Sequence, residues 1–461
     1  MVTKRSVCLF CSVGCGIGFK SAGEDITGIT YDRENPTNQG SLCPRGYYNL
    51  ELINSPQRLS KEVSLALIKE KIRNTPSDSL AIFLSATASN EEAHLLAQLA
   101  ENTQTKNVAI LAPTSDLEAY EGKTWDVEKA EIESIAEIES KEALLIIGDA
   151  LTRSAVLSRR LNKVKYGKRG NQIIVIDPNQ SHTTWFATNH LAIKPGMEAV
   201  LLSALIKVIA KENNQDNVDL DLENAAKLSG ISVEKIITTA KAFNAAPTGT
   251  IIFAPSEQMQ RNDLTNYFCR ILASLSPNKK YLTLYACGNL MGTKIMLDRS
   301  LKAGSSIDVI REKIKNRTIK TIIMLGEDLS PAIPEIRQIE FTALSSYFAV
   351  DWSPTVLLPL ASQFEENGTF TFADGRTESV KNVAPKVGSI SNLQILEQVM
   401  ETHGHLERII SSPAKIETNL NQKIAEAQAL SPTKTYPIEI ISHFGNNELV
   451  KRFFWYRVNN K

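Results

Sequence analysis

The chain has 461 residues, enough for several domains, and its 51 Lys and Arg residues balance 51 Asp and Glu residues to a formal net charge of zero. This balance argues against a nucleic-acid-binding protein, whose surface is normally basic, and suits a protein that associates with other subunits. No apolar run approaches the roughly 20 residues of a membrane span, and no apolar signal segment follows Lys4 and Arg5, so we expect a cytoplasmic protein.

Four of the six cysteines lie near the N-terminus, where Cys8, Cys11 and Cys15 form a C-x2-C-x3-C motif and Cys43 follows after 27 residues. Thiolates are the preferred ligands of zinc and of iron–sulfur clusters, and a reducing compartment disfavours disulfides. Zinc sites usually take two ligands from each of two short knuckles, whereas here three ligands share one loop. The spacing therefore favours a [4Fe–4S] cluster on these four cysteines, with zinc as the alternative.

The residues between Cys15 and Cys43 predict a small β module. FKSAG and DITGITYD are typical of short strands joined at Gly23, and the turn residues of 35–40 return the chain to Cys43. Because the core of such a module is small, we expect the metal to supply much of its folding free energy.

From Pro56 onward, apolar strands alternate with helical segments. The helical pattern NEEAHLLAQLAENT follows the first strand, and Ser89 or Asn90 can cap it. This alternation predicts parallel sheets covered by helices on both faces. The predicted strand segments are LAIFLSA (80–86), NVAILAP (107–113), EALLIIGDA (142–150), NQIIVIDP (171–178), HLAIKPG (190–196), TIIMLGED (321–328), YFAVDW (347–352) and TVLLPLA (355–361).

The N-terminal residues CLFCSVGCGIGF and GSLCPRGYYNLELINSPQRL resemble the cluster domain of the molybdopterin oxidoreductase family. This family includes formate dehydrogenases, nitrate reductases and the large iron–sulfur subunit of respiratory complex I, and the cysteine spacing is most similar to that of the complex I subunit. The segments ALLIIGDALTRSAVL, CGNLMGTKIMLDR and VLLPLASQFEENGTFTFADGR extend the resemblance over about residues 1–405. It implies that the four cysteines bind one [4Fe–4S] cluster.

The resemblance also implies a domain organisation. We expect an α/β protein with a small N-terminal β-rich [4Fe–4S] domain followed by two doubly wound parallel-sheet domains, one of them discontinuous. The expected domains are a cluster domain (1–55), a discontinuous α/β domain (56–120 and 290–405), an inserted α/β domain (121–289) and a C-terminal extension (406–461). The extension is either a vestigial fourth domain, packed on the core, or a docking tail rich in aromatic residues, KRFFWYRVNNK.

Two departures from the family's catalytic members concern the molybdenum or tungsten centre. Those members place a Cys, selenocysteine, Ser or Asp on the metal in the loop after the second strand that follows the cluster domain. Here this loop is NVAILAPTSDLEAY, which holds no Cys. Ser115 and Asp116 are the candidate substitute ligands, and a role as ordinary turn residues is the favoured alternative. The residues after His405 are also too few for the family's further C-terminal domain, which completes the binding site for the pterins. Both departures predict that molybdopterin is absent.

Single residues carry weaker predictions. Arg45 lies where relatives often have a Lys between cluster and pterin, so it is a candidate cofactor-binding residue; an interdomain ion pair is the alternative. Asp149 and Asp177 end strands, where we expect helix caps. Cys269 and Cys287 are expected to be buried apolar residues.

The sequence thus predicts an iron–sulfur electron-transfer or scaffold subunit of a multi-subunit oxidoreductase complex, without its own molybdopterin centre and without substrate chemistry of its own. The resemblance implies partner subunits that bind flavin and NAD(P) or carry ferredoxin-like clusters, with neither nucleic acid nor a membrane span. Two alternatives stay open. One is a shortened molybdopterin (Mo/W) catalytic subunit such as a formate dehydrogenase-like enzyme, and the other is a zinc-binding structural protein.

Overall fold

The structure is a computed structural model that describes residues 2–61, 64–127, 129–215, 218–300, 306–386, 388–401 and 418–432. The segment YPIEIISHF, whose pattern is typical of a strand, and the aromatic segment KRFFWYR lie outside these residues. The strands are β1 (Val2–Val7), β2 (Gly16–Ala22), β3 (Asp25–Thr30), β4 (Leu80–Ser85), β5 (Val108–Leu111), β6 (Ala143–Ile147), β7 (Gln172–Ile176), β8 (Asn189–Leu191), β9 (Gly249–Phe253), β10 (Lys279–Thr283), β11 (Thr321–Leu325), β12 (Phe341–Ser346), β13 (Val356–Pro359), β14 (Gly368–Thr371) and β15 (Thr377–Val380). The helices are α1 (Pro44–Asn54), α2 (Ala66–Asn74), α3 (Asn90–Thr103), α4 (Thr114–Thr124), α5 (Ala150–Arg153), α6 (Ser158–Gly167), α7 (Glu198–Glu212), α8 (Leu222–Ser229), α9 (Val233–Ala245), α10 (Asn262–Leu275), α11 (Leu290–Ser300), α12 (Ile307–Lys315), α13 (Asn392–Met400) and α14 (Leu420–Gln428).

The N-terminal module is a three-stranded antiparallel sheet in the order β1-β2-β3. The predicted strands on either side of Gly23 are present, and Gly23 turns the chain with a φ of +66°. The apolar side chains of this module do not form a separate core. Phe19, for example, is fully buried against Phe364, with ring centroids 5.0 Å apart.

One parallel sheet combines two distant stretches of the chain, in the order β13-β12-β11-β4-β5. Strands from residues 80–111 thus pair with strands from residues 321–359, and Leu80 lies opposite Thr321 in the register. The strand predicted at YFAVDW is wrong, because the sheet takes the preceding segment FTALSS as β12. Its Thr and Ser residues weaken the apolar signal, while Tyr347 and Phe348 instead pair with the segment after α1, where the Leu59 N–H donates to the Tyr347 carbonyl.

The strands of the second parallel sheet come from residues 143–283, which lie between these two stretches in the sequence. Their order in the sheet is β10-β9-β6-β7-β8. Its strands β6 and β9 are buried along their whole length, as expected for a sheet covered by helices on both faces. The α/β fold class with a β-rich N-terminal domain and parallel sheets is therefore confirmed. Within the described residues, none of the helices combines the length and apolar character that crossing a membrane requires.

Helix caps follow the sequence signals closely. Ser89 is the N-cap of α3, and it exchanges hydrogen bonds with Glu92 in a capping box. In the C-terminal extension, α14 packs on α7 through buried Ile424 and Ala427, and Lys423 lies over the Trp125 ring at 4.1 Å. This part of the extension packs on the core.

Candidate metal centre

The fold brings the four predicted ligands to the wall of one cavity. Cys8 follows β1, Cys11 and Cys15 lie in the loop before β2, and Cys43 is the N-cap residue of α1. Cys8, Cys11 and Cys15 are buried, whereas Cys43 is partly exposed. Cysteines that are 35 residues apart in the sequence therefore share one site.

Backbone hydrogen bonds set the shape of the cysteine loop. The Cys8 N–H donates to the Cys15 carbonyl at 2.8 Å, which closes the loop at its base. The Asn38 side chain holds the loop to the segment that carries Cys43, since it bonds both the N–H and the carbonyl of Gly16 at 3.0 Å and also the Ser41 carbonyl at 2.8 Å. One amide thus fixes the fourth ligand relative to the first three.

The thiols lie in a poorly solvated environment. Burial raises the pKa of Cys8 to about 12, and the neighbouring Cys43 and Cys11 add to the shift. Burial also raises the pKa of Cys15 well above its ordinary value, with contributions from the other three cysteines. Because metals bind the thiolate, loading this site must release the thiol protons.

Two side chains point donors at the sulfurs. The Asn49 Nδ2 lies 3.4 Å from the Cys8 Sγ, and the Ser154 Oγ lies 3.6 Å from the Cys11 Sγ. Such outer hydrogen bonds orient thiolate ligands and tune the potential of a cluster. Ser154 follows α5, so the part of the chain that forms the second parallel sheet also contributes to the site.

The donor set fits an iron–sulfur cluster better than a single ion. Four thiols that surround a common cavity suit a cluster, in which each thiolate binds a different iron. Phe10, Leu42 and Val156 supply apolar walls that limit access of water.

Ser12, between two of the ligands, anchors the loop to the rest of the protein. Its N–H donates to the Tyr285 carbonyl at 3.1 Å, its Oγ accepts from the Tyr285 N–H at 2.8 Å, and its carbonyl accepts from the Ala373 N–H at 2.9 Å. Arg376 adds hydrogen bonds to the Val13 and Gly14 carbonyls. The loop therefore depends on residues far along the chain for its position.

Gly14 provides a test of this close packing. It has a φ of +64°, and a Cβ built there would lie 2.5 Å from the Phe372 ring. We expect Gly14→Ala to reduce iron retention and to lower the free energy of unfolding by about 2–4 kcal/mol, from left-handed backbone strain plus overpacking.

Gly23→Ala is the matched control, because Gly23 has a φ of +66° with nothing within 4 Å of the added Cβ. It should cost only the backbone strain of about 1–2 kcal/mol and leave iron retention unchanged. Chemical denaturation and iron analysis of both variants measure the difference. Equal losses would contradict the packing of Phe372 against the loop.

Arg45 lines the same cavity from the first turn of α1. Its guanidinium donates to the backbone carbonyls of Thr152 and Arg153, at the end of α5. It therefore links α1 to the inserted part of the chain through hydrogen bonds. A contact of Arg45 with a cofactor stays a prediction.

Arg153, whose carbonyl accepts from Arg45, uses its own side chain to bind the loop after β5. Its guanidinium binds the Asp116 carboxylate at 2.8 Å, the Ser115 Oγ at 3.1 Å and the Pro255 carbonyl. Asp116 and Ser115 are fully buried, in the first turn of α4. The second Asp116 oxygen accepts from the Ala286 N–H at 2.7 Å. Both substitute ligand candidates of this loop are thus held by protein groups.

The two strand-end aspartates have different roles. Asp149 is the N-cap of α5, as predicted, and accepts hydrogen bonds from the Thr152 N–H and from two hydroxyl groups. Asp177 accepts from the Asn179 N–H at 2.8 Å, which stabilises a turn instead of the predicted helix cap. Cys269 and Cys287 are both buried, as expected.

Glu198, at the start of α7, is a buried carboxyl group close to Asp177. Burial raises the pKa of Glu198 to about 7, and the Asp177 charge adds to the shift. Between about pH 4.5 and 7 the unfolded state loses this proton while the folded state keeps it, so stability falls as pH rises through this window.

We expect Glu198→Gln to flatten this part of the pH dependence. The destabilisation that the Glu198 carboxylate causes in the wild-type protein should reach a few kcal/mol above pH 7. It should vanish below about pH 4.5, because Glu198 is then protonated in both the folded and the unfolded state. Urea denaturation from pH 4 to 8, with the wild-type protein in parallel, measures it. Parallel curves for the two proteins would contradict a raised pKa.

Sequence reasoning missed Ser12, Arg153 and Arg376 as groups that hold the site. Nothing in their local sequence marks them, because their partners at the site lie 37 to 363 residues away. Asn38 carried a signal, since it begins the Asn-x-Gly-x-Leu-Cys pattern before Cys43. Its role as a bridge could have been proposed from that pattern.

Comparison with known proteins finds two matching family models. A family model described as the molybdopterin oxidoreductase Fe4S4 domain matches residues 1–55, and the molybdopterin oxidoreductase model matches residues 61–402. The F420-dependent formate dehydrogenase subunit alpha of Methanocaldococcus jannaschii is 25% identical over 87% of this chain and 70% of its own length. The NADPH-Fe(3+) oxidoreductase subunit alpha of Geobacter sulfurreducens is 24% identical over 90% of this chain and 57% of its own length.

The fold also matches a solved structure, acetylene hydratase from Pelobacter acetylenicus. The TM-score is 0.65 at 14% sequence identity, over 86% of this chain and 69% of the hydratase chain. At this identity the likeness concerns the fold. Since the two family models together cover most of the sequence, the chain belongs to the molybdopterin oxidoreductase family.

Proposed function

We propose that this chain is an iron–sulfur electron-transfer or scaffold subunit of a multi-subunit oxidoreductase, and that it carries no molybdopterin centre of its own. Cys8, Cys11, Cys15 and Cys43 would hold one [4Fe–4S] cluster. The names of the two relatives, each a subunit alpha, support the assembly with other subunits.

The burial of Asp116 against Arg153 carries the proposal. The Asp116 side chain is fully buried and the Arg153 side chain is only 11% exposed, at an N–O distance of 2.8 Å. For Asp116 to bind a metal, it would have to leave this guanidinium uncompensated in a buried position, at a cost of several kcal/mol. Ser115 is held by the same guanidinium, so neither of the two candidate ligands in this loop is ready to ligate molybdenum or tungsten.

The residues of the site can hold and shield a cluster. A bound [4Fe–4S] cluster supplies one-electron transfer. Asn49 and Ser154 orient the sulfurs, the apolar wall excludes water, and Ser12 fixes the loop against the segments that follow β10 and β14. These groups set the potential through hydrogen bonding and burial.

The proposal also covers the partner subunits, the location of the protein and the role of Arg45. The complex I-like cysteine spacing supports partners that bind flavin and NAD(P) or carry ferredoxin-like clusters. A cytoplasmic location is part of the same proposal. A contact between Arg45 and the cluster's surroundings is supported by its place in the cavity wall.

A shortened catalytic subunit with molybdenum or tungsten is the second candidate. The family model over residues 61–402 and the formate dehydrogenase relatives favour it. It requires a metal that is held without Ser115 or Asp116, or a rearrangement that releases Asp116 from Arg153.

Elemental analysis of protein purified without oxygen separates the candidates. The proposal expects about four irons and four acid-labile sulfides per chain, without molybdenum, tungsten or pterin. Stoichiometric molybdenum or tungsten with pterin would establish the catalytic candidate instead. Zinc without iron would establish the zinc-binding structural protein.

A further inference from the structure

Cys43 is the ligand that comes closest to solvent. The other three cysteines are buried, whereas Cys43 is partly exposed at the start of α1. Electron transfer becomes steeply slower with distance, so the surface beside Cys43 is the shortest route from the cluster to a partner. The side chains on this surface indicate what kind of partner it accepts.

Two tyrosines form an exposed aromatic pair next to Cys43. Tyr31 is 57% exposed and Tyr47, one turn after Cys43 in α1, is 41% exposed. Their hydroxyl groups are 2.8 Å apart and their rings meet edge to face, with centroids at 6.4 Å. Exposed, mutually ordered tyrosines are typical anchors of protein interfaces, because little side-chain entropy remains to be lost.

Two arginines lie beside the aromatic pair. Arg33 and Tyr31 both lie against Gly40, three residues before Cys43, with side-chain carbons 3.1 and 3.3 Å from the position of a Gly40 Cβ. Arg159 donates to the Gln39 carbonyl at 3.3 Å and to the Ser41 Oγ at 3.4 Å. Arg33 and Arg159 also line one surface groove. We call Tyr31, Arg33, Tyr47 and Arg159 the cluster face.

The charge of the cluster face is not balanced by its neighbours. Glu34 is paired with Arg5 at 2.8 Å, and Glu139 is paired with Arg160 and Lys163. Within the described residues, neither Arg33 nor Arg159 forms an ion pair. The cluster face therefore presents two guanidinium groups and two aromatic rings beside the most exposed ligand.

We propose that the cluster face docks an iron–sulfur protein whose surface is acidic around its own cluster, and that one electron passes between the two clusters across Cys43. This inference rests on the proposed function. In the step, one cluster loses an electron and the other gains it, with no bond formed and no proton moved. The guanidinium groups attract the partner's carboxylates, and the tyrosines pack against its surface.

The test measures electron transfer from a dithionite-reduced, small acidic ferredoxin to the full-length oxidised protein by stopped-flow absorbance. The variant Arg33→Glu/Arg159→Glu is expected to slow the transfer about tenfold or more at low ionic strength. The difference from wild type should shrink as salt is added, since screening weakens the attraction. Tyr47→Ala should weaken binding of the ferredoxin without this salt dependence.

Two further variants keep the result interpretable. Arg73→Glu/Arg169→Glu makes the same charge change at exposed arginines of other segments, which form no ion pair with the described residues. Arg33→Gln/Arg159→Gln removes the charge but keeps hydrogen-bond donors for the Gln39 and Ser41 acceptors. We expect the Gln variant to slow the transfer less than the Glu variant does, and the Arg73/Arg169 control not to slow it.

Iron content is measured first for each protein. With iron intact, equal slowing by the Arg73/Arg169 control, no slowing by either cluster-face variant, or no transfer to wild type would overturn the docking inference and leave the proposed function standing. Absence of iron from the wild-type protein would overturn the proposed function, and the docking inference with it.

Discussion

Replacement of Cys15 by alanine is expected to remove the cluster and to destabilise the N-terminal module by several kcal/mol. Cys15 is buried, its carbonyl closes the ligand loop on the Cys8 N–H, and its sulfur lies in the cavity shared with the other three cysteines. Loss of one thiolate leaves one iron of the cluster without its protein ligand. The free energy of cluster binding, which is coupled to folding of the module, is then lost as well. Iron and sulfide analysis, with denaturant unfolding, measures both effects.

Cys269→Ala is the control for this experiment. Cys269 is fully buried in α10, so it shares the burial of Cys15 but lies outside the cavity. We expect this variant to keep its full iron content and to lose at most about 1–2 kcal/mol for the small void. Full iron in Cys15→Ala, or loss of iron in Cys269→Ala, would contradict the assignment of the ligands.

Arg153→Ala is expected to lower the free energy of unfolding by about 3–5 kcal/mol, because it leaves the Asp116 carboxylate buried without its counter-charge. The carboxylate is fully buried, and it also accepts a hydrogen bond from the Ala286 N–H. The double variant Arg153→Ala/Asp116→Ala should recover part of the loss, since the uncompensated charge is removed. Urea denaturation of the three proteins measures the coupling.

Arg311→Ala provides the matched comparison at the surface. Arg311 pairs with Asp308 at the same 2.8 Å distance, but the Asp308 side chain is 70% exposed. Its loss should cost less than about 1 kcal/mol. If Arg153→Ala were no more harmful than Arg311→Ala, the Asp116 pair would be weak and the loop after β5 would be free to offer a metal ligand.

The regular elements followed from local sequence where a strand is uniformly apolar. LAIFLS and QIIVI gave β4 and β7 within a residue or two, because both faces of a central parallel strand are buried. The prediction failed at FTALSS, whose Ser and Thr residues are polar although the strand is central. There the position between β11 and β13 decides the structure, because both strands pair with β12 along its length.

The residues of the candidate site likewise include some that the local sequence predicts and others that it does not. The four cysteines and Asn38 could be recognised because their spacing is a local pattern. The ion pair between Arg153 and Asp116 could not be predicted, since the two residues are 37 positions apart and follow strands of different sheets. Ser115 and Asp116 were named as substitute ligands from their place in the loop, and only the three-dimensional arrangement showed that one guanidinium holds both.

X-ray diffraction with anomalous data at the iron edge and at the molybdenum and tungsten edges would test the central claim most directly. The proposal predicts iron peaks bounded by the sulfurs of Cys8, Cys11, Cys15 and Cys43, with the Asp116 carboxylate on Arg153. A molybdenum or tungsten peak within bonding distance of Ser115 or Asp116 would contradict it and would make the chain a catalytic subunit.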